Sequence, residues 1–548
     1  MTKVNLSING IAIEAQSGQT ILETAKENGI DIPTLCHMNH LFASGNCRIC
    51  VVEIVGKKKL VTACTYPVTD GLEILTHSDR VRRARKTLVE LLLSNHPDDC
   101  LFCLKNGECD IQDLAREFGI RERRFTGKRR EYPVDLSSVS LERDPNKCIL
   151  CGRCIDACLS QGIGALNYMF RGFDTLVGPF NATELYDSEC VFCGQCVLTC
   201  PTGALRERSA LKNVWTAIHD PGKKVAAVIS PAAKIGLFEE SETEWENLDG
   251  KIVTALKQIG FDYVYDMSIA NETYLENITK ELKDMKKRQR PLISAFCPAL
   301  VLLIEKRYPH LIPYLSKIKS PQQIAGTLIK NEFYSRKEVE GMGEDLFVVA
   351  IRPCTAAKYE ASRQNMRRET YRDIDAVLTS RELKRMFITT GIKYKNLTAT
   401  DYDLPFINKR AKLGELEMAN GLSTNISAKF NSDKLNHNIS PPRLKMASFT
   451  GLGNMTKVLQ SKEVFASSDF LEVLACPYGC VCGGGSTISD FEEISIYTDV
   501  LKELINADKK GIEAKTLFTP LKEANLSKDA FLVSYSSDFF EDLFKTRS

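Results

Sequence analysis

Twenty of the 548 residues are cysteines, and most of them stand in tight groups. Two groups share the spacing Cys-x2-Cys-x2-Cys-x3-Cys, and Pro201 follows the second. Thiolates spaced in this way bind [4Fe–4S] clusters, and in a chain with two such runs the fourth cysteine of each run binds the other cluster. The spacing therefore predicts one cubane on Cys148, Cys151, Cys154 and Cys200, and a second on Cys190, Cys193, Cys196 and Cys158.

A third group combines Cys100, Cys103 and Cys109 with His96, which lies just before them. A single histidine is usually a surface or core residue, but three thiolates leave a cubane one ligand short. An imidazole can complete the set, and its lack of charge shifts the reduction potential from that of an all-thiolate cluster. We therefore predict a His-ligated [4Fe–4S] cluster.

A fourth group near the N-terminus contains four cysteines at longer spacing: Cys36, Cys47, Cys50 and Cys64. Four thiolates suit Zn²⁺ as well as a [2Fe–2S] cluster, which takes one pair of thiolates per iron. The neighbouring hairpin and helix, together with the long first spacing, favour [2Fe–2S].

The remaining cysteines are scattered: Cys297, Cys354, Cys476, Cys480 and Cys482. Scattered cysteines are usually buried structural thiols. Here, however, a proline follows Cys297 and another precedes Cys354, and Gly483-Gly484-Gly485 follow the last cysteine, where bare backbone can approach a bulky cofactor. These segments also come after apolar, strand-like stretches, and strand ends are where α/β folds hold cofactors.

The elements that position these groups can be predicted from the residue patterns. VNLSINGIAIEAQ predicts a hairpin that turns at Asn9-Gly10, and GQTILETAKENG predicts a helix closed by Gly29. VRRARKTLVELLLSN predicts another helix. Beyond a boundary helix that stops at Asp220-Pro221-Gly222, VAAVISP and LFVVAIRPC read as buried strands and LDGKIVTALKQIG as a helix, which indicates an α/β half.

Composition restricts the class of protein further. A chain of this length needs several domains, and a formal charge of +2 gives no indication of nucleic acid or anionic membrane as a partner. No apolar run is long enough to span a bilayer, and the first residues lack the layout of a signal peptide. We therefore expect a cytoplasmic protein, in which grouped thiols indicate metal chemistry rather than disulfides.

Three of the C-terminal segments resemble the signature motifs of the [FeFe]-hydrogenase catalytic domain, which read roughly TSCCPxW, PCxxKxxE and ExMACxxGCxxGGGQ. The segments are SAFCPAL, IRPCTAAKYEA and LEVLACPYGCVCGGGS, and ISPAAKIG, FDYVYD, SPQQIAGT and RDIDAVLTSREL agree as well. The N-terminal groups resemble those of hydrogenases and of the large peripheral subunit of respiratory complex I. The resemblance covers the chain from about residue 3 to its end.

This resemblance implies a multidomain chain of α+β and α/β class. Its expected parts are a β-grasp [2Fe–2S] ferredoxin domain at 1–80, a His-ligated [4Fe–4S] domain at 81–125, a dicluster ferredoxin domain at 138–208 and an α/β H-cluster domain at 222–548.

The resemblance also implies that Cys297, Cys354, Cys476 and Cys480 hold an H-cluster. This cofactor is a [4Fe–4S] cubane bridged, here through Cys480, to a di-iron unit that carries CO, CN⁻ and a dithiolate. Cys480 and Glu360 are then expected to be catalytic, with Ser316 and Glu281 as members of a proton relay. Cys482 is left without a role.

Several family positions carry other residues in this chain. Phe296 replaces the cysteine that delivers protons, Ile278 replaces the next relay carboxylate, and Ala357 replaces a lysine that contacts a cyanide ligand, whereas Lys358 should point elsewhere. Phenylalanine and isoleucine cannot transfer protons. Further replacements are Leu300 for Trp, Arg352 and Leu474 for Met, and Ser486 for Gln. Residues 408–447, polar and irregular, stand where a glycine-rich FGATGG stretch is usual.

These features predict a slow [FeFe]-hydrogenase-like oxidoreductase that interconverts 2H⁺ + 2e⁻ and H₂, with electrons exchanged with ferredoxin or a partner subunit. Two other functions remain open: an H₂ sensor, and an electron-transfer subunit with a cubane, or nothing, in its C-terminal half. A complex I type subunit would share the first 200 residues but not the C-terminal motifs.

Overall fold

The structure is a computed structural model that describes most of the chain. The described residues are 3–235, 237, 248–340, 343–368, 371–403, 414–435, 444–460, 465, 467–488, 532, 533 and 535.

The N-terminal domain is a five-stranded sheet with one helix, and it contains the predicted hairpin and helix. Its elements are β1 (Lys3–Ile8), β2 (Ile11–Gln16), α1 (Ile21–Glu27), β3 (Val51–Ile54), β4 (Val61–Thr62) and β5 (Glu73–Leu75), in the strand order β2-β1-β5-β3-β4. The hairpin turns at Asn9 and Gly10, both at positive φ. Thr20 and Glu23 form a capping box at the start of α1, and Gly29 at φ +69° follows its end.

Two helices carry the next cysteine group. These are α2 (Asp79–Asn95), which matches the predicted helix, and α3 (Asp110–Glu117). His96 caps the C-terminus of α2, and Cys109 caps the N-terminus of α3. The end of one helix and the start of the other therefore bring the histidine and the third cysteine of this group towards each other.

The dicluster region consists of two short helices and two small antiparallel strand pairs. In chain order these are β6 (Leu141–Arg143), α4 (Arg153–Ser160), β7 (Asn167–Met169), β8 (Leu176–Gly178), α5 (Gln195–Leu198) and β9 (Leu205–Glu207). Strand β6 pairs with β9, and β7 pairs with β8. Each helix follows a left-handed glycine, Gly152 or Gly194, that lies between the second and third cysteines of its run. The two runs therefore adopt the same local fold.

The C-terminal half contains a four-stranded, all-parallel sheet of order β11-β10-β13-β14, which confirms the α/β prediction. The boundary helix α6 (Leu211–Ile218) ends just before Asp220-Pro221-Gly222. The elements of this first part are β10 (Lys223–Ile229), α7 (Pro231–Ile235), α8 (Leu248–Ile259), β11 (Tyr263–Asp266), α9 (Asn271–Lys287), β12 (Leu292–Ile293), α10 (Pro298–Arg307), α11 (Pro321–Glu340), β13 (Asp345–Ile351), α12 (Ala356–Ser362), β14 (Ala376–Leu378) and α13 (Ser380–Thr390).

A second parallel sheet, of order β12-β16-β15, completes this half. Its remaining elements are α14 (Gly421–Leu435), β15 (Met446–Thr450), α15 (Leu452–Gln460) and β16 (Phe470–Leu474). Cys297, Cys354 and Cys476 each come within four residues after a strand of one of the two sheets. The strand ends therefore converge on one region, as expected for α/β folds.

The expectation that residues 408–447 are irregular was wrong in part. Helix α14 occupies 421–435, and Leu422, Ile426 and Phe430 are buried along one of its faces. Their spacing of four residues is a helical signal that the polar residues between them obscure. Residues 404–413 and 436–443 lie outside the described part of the chain.

Within the described ranges, no helix combines the length and the apolar character that crossing a bilayer requires.

Candidate functional site

The four N-terminal cysteines form two close pairs, and we call this group the ferredoxin-type site. The Sγ atoms of Cys50 and Cys64 are 3.4 Å apart. A hydrogen bond from Cys47 lowers the pKa of Cys36 to about 5, and one from Cys64 lowers the pKa of Cys50 to about 7. The same hydrogen bonds raise the pKa of Cys47 and of Cys64. Two close thiol pairs match a cluster that takes one pair per iron.

His96 and its three cysteines, the histidine site, contain an unsatisfied nitrogen that fits a metal ligand. The His96 side chain is buried, and its Nδ1 lies 3.1 Å from the Pro97 carbonyl oxygen. Its Nε2 is buried and has no hydrogen-bond partner in the described part of the chain. Burial lowers the pKa of the imidazole, which favours the neutral form. With Nδ1–H donating to Pro97, the Nε2 lone pair is available to a metal.

Cys148, Cys151, Cys154 and Cys200 line one cavity, which we call the outer dicluster site. Burial raises the pKa of Cys148 to about 11. The fourth member comes from the other run, which is the crossed arrangement predicted from the spacing.

The complementary set, the inner dicluster site, brings Cys158 to the second run. Burial and then the charge of Cys158 raise the pKa of Cys190 to about 11, and the same charge acts on Cys193 and Cys196. Cys158 therefore lies close to all three thiols of that run.

Across the described residues, no three His, Cys, Asp or Glu side chains converge tightly enough to hold a single metal ion. The outer dicluster quartet instead surrounds a cavity. This is the arrangement that a cubane needs, because each of its ligands binds a different iron atom.

Cys297, Cys354, Cys476 and Cys480 line a further buried cavity, the terminal cavity. Cys297 is the N-cap of α10, and Cys480 opens a short 3₁₀ turn. A Cβ atom on Gly483 would stand 2.0 Å from the Pro353 carbonyl oxygen, so only glycine allows these two ligand loops to meet. The four cysteines that the motifs predict as ligands are thus brought together.

Cys193 of the inner dicluster site lines the same cavity. The backbones touch here, because a Cβ atom on Gly484 would lie 2.4 Å from the Gly194 Cα. Gln195 Nε2 donates to the Cys482 carbonyl at 2.8 Å, and Thr355 Oγ1 donates to the Phe192 carbonyl at 2.7 Å. The inner dicluster site and the terminal cavity are therefore direct neighbours.

Three of the replaced family positions, Phe296, Arg352 and Leu474, also line the terminal cavity. Arg352 is buried, and its Nη2 lies 3.3 Å from Glu417 Oε1. The guanidinium carbon lies 5.9 Å from the centre of the Phe296 ring. The replacements thus bring a large aromatic ring and a cation to the edge of the site.

Glu417 is a site residue that the sequence did not identify. It is buried beside Arg352, and its Oε2 accepts a 2.8 Å hydrogen bond from the Ala232 amide. After burial, its charge is the strongest influence that raises the pKa of Cys480. No motif marks Glu417, and its partner Arg352 is 65 residues away in the chain.

The predicted relay residues meet, but outside the terminal cavity. Ser316 Oγ donates to Glu281 Oε2 at 2.6 Å, and burial raises the pKa of Glu281. Ile278 is fully buried one helical turn earlier on α9, and its aliphatic side chain cannot carry a proton. Neither Ser316 nor Glu281 is among the described residues that line the cavity.

Glu360 is held beside the cavity by hydrogen bonds from Ser320 Oγ at 2.9 Å and Gln322 Nε2 at 3.3 Å. Burial raises its pKa. Lys358 points elsewhere, as expected, and its Nζ donates to the Val377 carbonyl and to Glu382. Lys358 therefore does not take the place that the family gives to the lysine replaced by Ala357.

Cys482 is fully buried in a small apolar cluster and does not line the terminal cavity. Burial raises its pKa to about 12. Its thiol packs within this apolar cluster, while its backbone carbonyl accepts a hydrogen bond from the Gln195 side chain.

Comparison with protein families gives four matches. Residues 223–484 match the iron only hydrogenase large subunit, C-terminal domain, and residues 1–79 match a 2Fe-2S iron-sulfur cluster binding domain. Residues 85–124 match the NADH-ubiquinone oxidoreductase-G iron-sulfur binding region, and residues 147–204 match a 4Fe-4S dicluster domain.

Individual relatives extend over nearly the whole chain. The NADP-reducing hydrogenase subunit HndD of Solidesulfovibrio fructosivorans is 34% identical over 91% of this chain and 92% of its own. Iron hydrogenase 1 of Clostridium pasteurianum is 32% identical over 92% of both. The NADH-ubiquinone oxidoreductase 75 kDa subunit of Reclinomonas americana is 28% identical over 59% of this chain and 45% of its own.

Proposed function

The chain belongs to the iron-only hydrogenase family, and we propose that it carries electrons through its N-terminal iron–sulfur sites to the terminal cavity. The observation that carries this proposal is the position of Cys193, a predicted ligand of the inner dicluster site that also lines the terminal cavity. When bound, an iron–sulfur cluster supplies a one-electron centre whose potential depends on its type, its hydrogen bonds and its exposure.

The preceding sites are also in contact with one another. Asp110, next to Cys109, donates its amide to the Pro201 carbonyl at 3.1 Å, and a Cβ atom on Gly203 would lie 3.0 Å from Cys103 Sγ. The histidine site therefore adjoins the outer dicluster site.

The ferredoxin-type site reaches the same region. Asn46 Nδ2 lies 3.3 Å from the Cys151 carbonyl oxygen, and Cys47 packs against the apolar cluster that contains Cys109. Electrons can thus enter near the N-terminus and pass inward without leaving the protein interior.

The external partner is a ferredoxin or another electron-transfer subunit. The name of one relative, an NADP-reducing hydrogenase subunit, supports a partner subunit. Leu101 and Phe102, between two cysteines of the histidine site, are 86% and 89% exposed. This apolar pair is a suitable docking point for such a partner.

A second candidate function is slow interconversion of protons and H₂ at an H-cluster, or H₂ sensing by the same cofactor. It is favoured by the retained cysteine quartet and by the intact Ser316–Glu281 hydrogen bond. Because Phe296 and Ile278 cannot transfer protons, turnover would be limited by proton delivery. Combining Phe296→Cys with Ile278→Glu should then raise H₂ evolution from reduced viologen above that of either single variant. No gain at all would contradict this candidate.

The relay is tested by following reduction of each site with rapid freeze-quench EPR after mixing with a reduced donor. Cys158→Ala should remove the inner dicluster cluster and slow reduction at the terminal cavity, while the ferredoxin-type site is reduced at the original rate. Cys482→Ala is the matched control, because this buried thiol lines neither site. Unchanged reduction at the terminal cavity in Cys158→Ala would contradict the relay.

A further inference from the structure

We infer that the terminal cavity holds a [4Fe–4S] cubane without a di-iron unit, and that the buried Arg352–Glu417 pair stands beside Cys480 in its place. This inference rests on the proposed electron relay and identifies its last acceptor as a cluster rather than a hydrogen-forming centre.

The first support is the size of the cavity. The terminal cavity and the cavity of the outer dicluster site, which the spacing assigns to one cubane, each leave about 20 Å³ for the centre of a water-sized molecule. The outer dicluster cavity is lined by its four predicted ligands, and the terminal cavity by its four predicted ligands and by Cys193 of the inner dicluster site. A cavity that holds a cubane, two further irons and their ligands would have to be larger than a cavity that holds one cubane. The terminal cavity is not larger than the cavity of the outer dicluster site.

The second support is what surrounds Cys480, the position at which the family attaches the di-iron unit. Arg352 is 1% exposed and Glu417 is 5% exposed, and the two groups are ion-paired. The other carboxylate oxygen of Glu417 accepts from the Ala232 amide. Because a buried charge is costly unless it is paired and hydrogen-bonded, neither group can leave without stranding the other. The pair is therefore a fixed part of the site.

The third support is Phe296. The centre of its ring lies 5.9 Å from the Arg352 guanidinium carbon and 5.8 Å from the centre of the Tyr274 ring. It fills a position where the family has a cysteine, a much smaller side chain. Ala357 meanwhile removes the cation that would hold an anionic ligand of the di-iron unit. The space is thus reduced at one position and the anchoring charge is lost at another.

Arg352 has two further N–H groups that suit a cubane. Its Nε and Nη1 are buried and have no hydrogen-bond partner in the described part of the chain, and the side chain lines the cavity. Hydrogen bonds to cluster sulfurs and nearby charges set the potential of an iron–sulfur cluster. Arg352 therefore acts as a positioning residue that caps the terminal cubane and stabilises its reduced, more negative state.

The composition of the cofactor is tested by infrared spectroscopy and iron analysis on the full chain, matured anaerobically beside a catalytic family member as positive control. We expect no CO or CN⁻ stretches and about 18 irons per chain, from one [2Fe–2S] and four [4Fe–4S] clusters. Bands as intense as those of the control, with about 20 irons, would overturn the inference and leave the relay standing. About 14 irons, with the terminal cluster missing, would overturn both.

The role of the ion pair is tested by the midpoint potential of the terminal cluster, measured by EPR-monitored titration. Arg352→Met should lower this potential, because it removes a cation, and Glu417→Gln should raise it, because it removes an anion. Arg363→Met is the matched control, since it breaks a buried arginine–glutamate pair with Glu305 that does not line the cavity.

Equal potentials in the wild type and both variants, with the cluster assembled, would show that the pair does not adjoin the cluster. If the terminal cluster lacks CO and CN⁻ but is still reduced at the original rate in Cys158→Ala, the relay is contradicted and this inference stands.

Discussion

The His96 Nε2 atom is buried and has no hydrogen-bond partner in the described part of the chain. The assignment of His96 as the fourth ligand of the histidine site depends on this atom. His96→Cys should keep the cluster assembled but shift its potential, because thiolate carries a charge that neutral imidazole lacks. His96→Ala should destabilise the cluster, because nothing replaces the lost ligand. An EPR-monitored redox titration reports both effects. If neither variant changes any cluster, His96 is not a ligand.

At the residue scale, ligand sets could be predicted where they depend on local spacing. Cys148, Cys151 and Cys154 follow one another within seven positions, so their convergence is a property of one turn and one helix. Glu417 could not be predicted in this way. Its contact with Arg352 arises because the segment before α14 folds back onto the end of β13, and a single glutamate in a polar stretch gives no pattern that indicates such a contact.

At the scale of elements, helix α10 connects the two halves of the proposed relay. Its N-cap is Cys297, and its last residues are Lys306 and Arg307. Lys306 Nζ donates to the carbonyls of Ser188 and Cys190, and Arg307 donates to those of Gly162 and Ile163. One helix thus fixes a ligand of the terminal cavity and holds the dicluster region against it.

The close approach of Gly484 to Gly194 predicts that a larger residue at position 484 destabilises the protein. Gly484→Ala places a methyl group 2.4 Å from the Gly194 Cα, and backbone atoms on both sides cannot yield. We expect a loss of about 1–3 kcal/mol in stability, the usual effect of overpacking, and slower reduction at the terminal cavity. Gly127→Ala is the control, because a Cβ atom there meets nothing within 4 Å. Equal denaturation midpoints for the two variants would contradict the close approach.

Strand β9 and helix α13 are joined by Glu207, which accepts from Arg381 at 2.8 Å and Arg385 at 2.9 Å. Burial alone would raise the pKa of Glu207, but the charges of the two arginines outweigh it and lower the pKa to about 2. The carboxylate therefore stabilises the fold fully above its unfolded pKa of about 4.5, and this contribution is lost as the pH falls towards 2.

Glu207→Gln should accordingly cost about 3 kcal/mol at neutral pH, since it leaves two half-buried arginines without their buried anion. Denaturant titrations at pH 7 and pH 3 should show a smaller difference between variant and wild type at pH 3, because the wild-type carboxylate loses its contribution as the pH falls below the unfolded pKa. A difference of the same size at both pH values would show that the pKa of Glu207 is not lowered.

Element boundaries could be predicted where local signals are strong. The Asn9-Gly10 hairpin and the helix at 248–259 depend on turn residues and apolar periodicity, which need no tertiary information. The strand order of the two parallel sheets depends on pairing between segments far apart in the chain, such as β10 with β13, and was not predicted.

At the scale of the whole molecule, one hydrophobic core runs through both dicluster sites and the terminal cavity. It includes Cys154, Cys196 and Phe192 from the dicluster region and Phe296 and Leu474 from the C-terminal half. The N-terminal sheet has its own core. Shared packing fixes the inner sites relative to one another, which is what electron transfer over a constant distance requires.

The exposed pair Leu101 and Phe102 leads to a prediction about the partner. Phe102→Ser should slow reduction by a protein donor, because docking beside the histidine site is weakened, and should leave reduction by viologen unchanged, since a small donor needs no docking surface. Phe180→Ser is the control, because Phe180 is 76% exposed but belongs to another segment. Equal slowing by Phe102→Ser and Phe180→Ser, or slowing with viologen, would contradict this docking point.

The electron relay is tested most directly by the spin–spin interaction between the inner dicluster site and the terminal cavity in the fully reduced protein. Because Cys193 lines the terminal cavity, we expect the EPR signals of the two reduced clusters to be split by mutual coupling. The coupling should disappear in Cys158→Ala and persist in Cys482→Ala. A terminal cluster whose signal is the same with and without the inner cluster would contradict the central claim that electrons arrive there through the inner dicluster site.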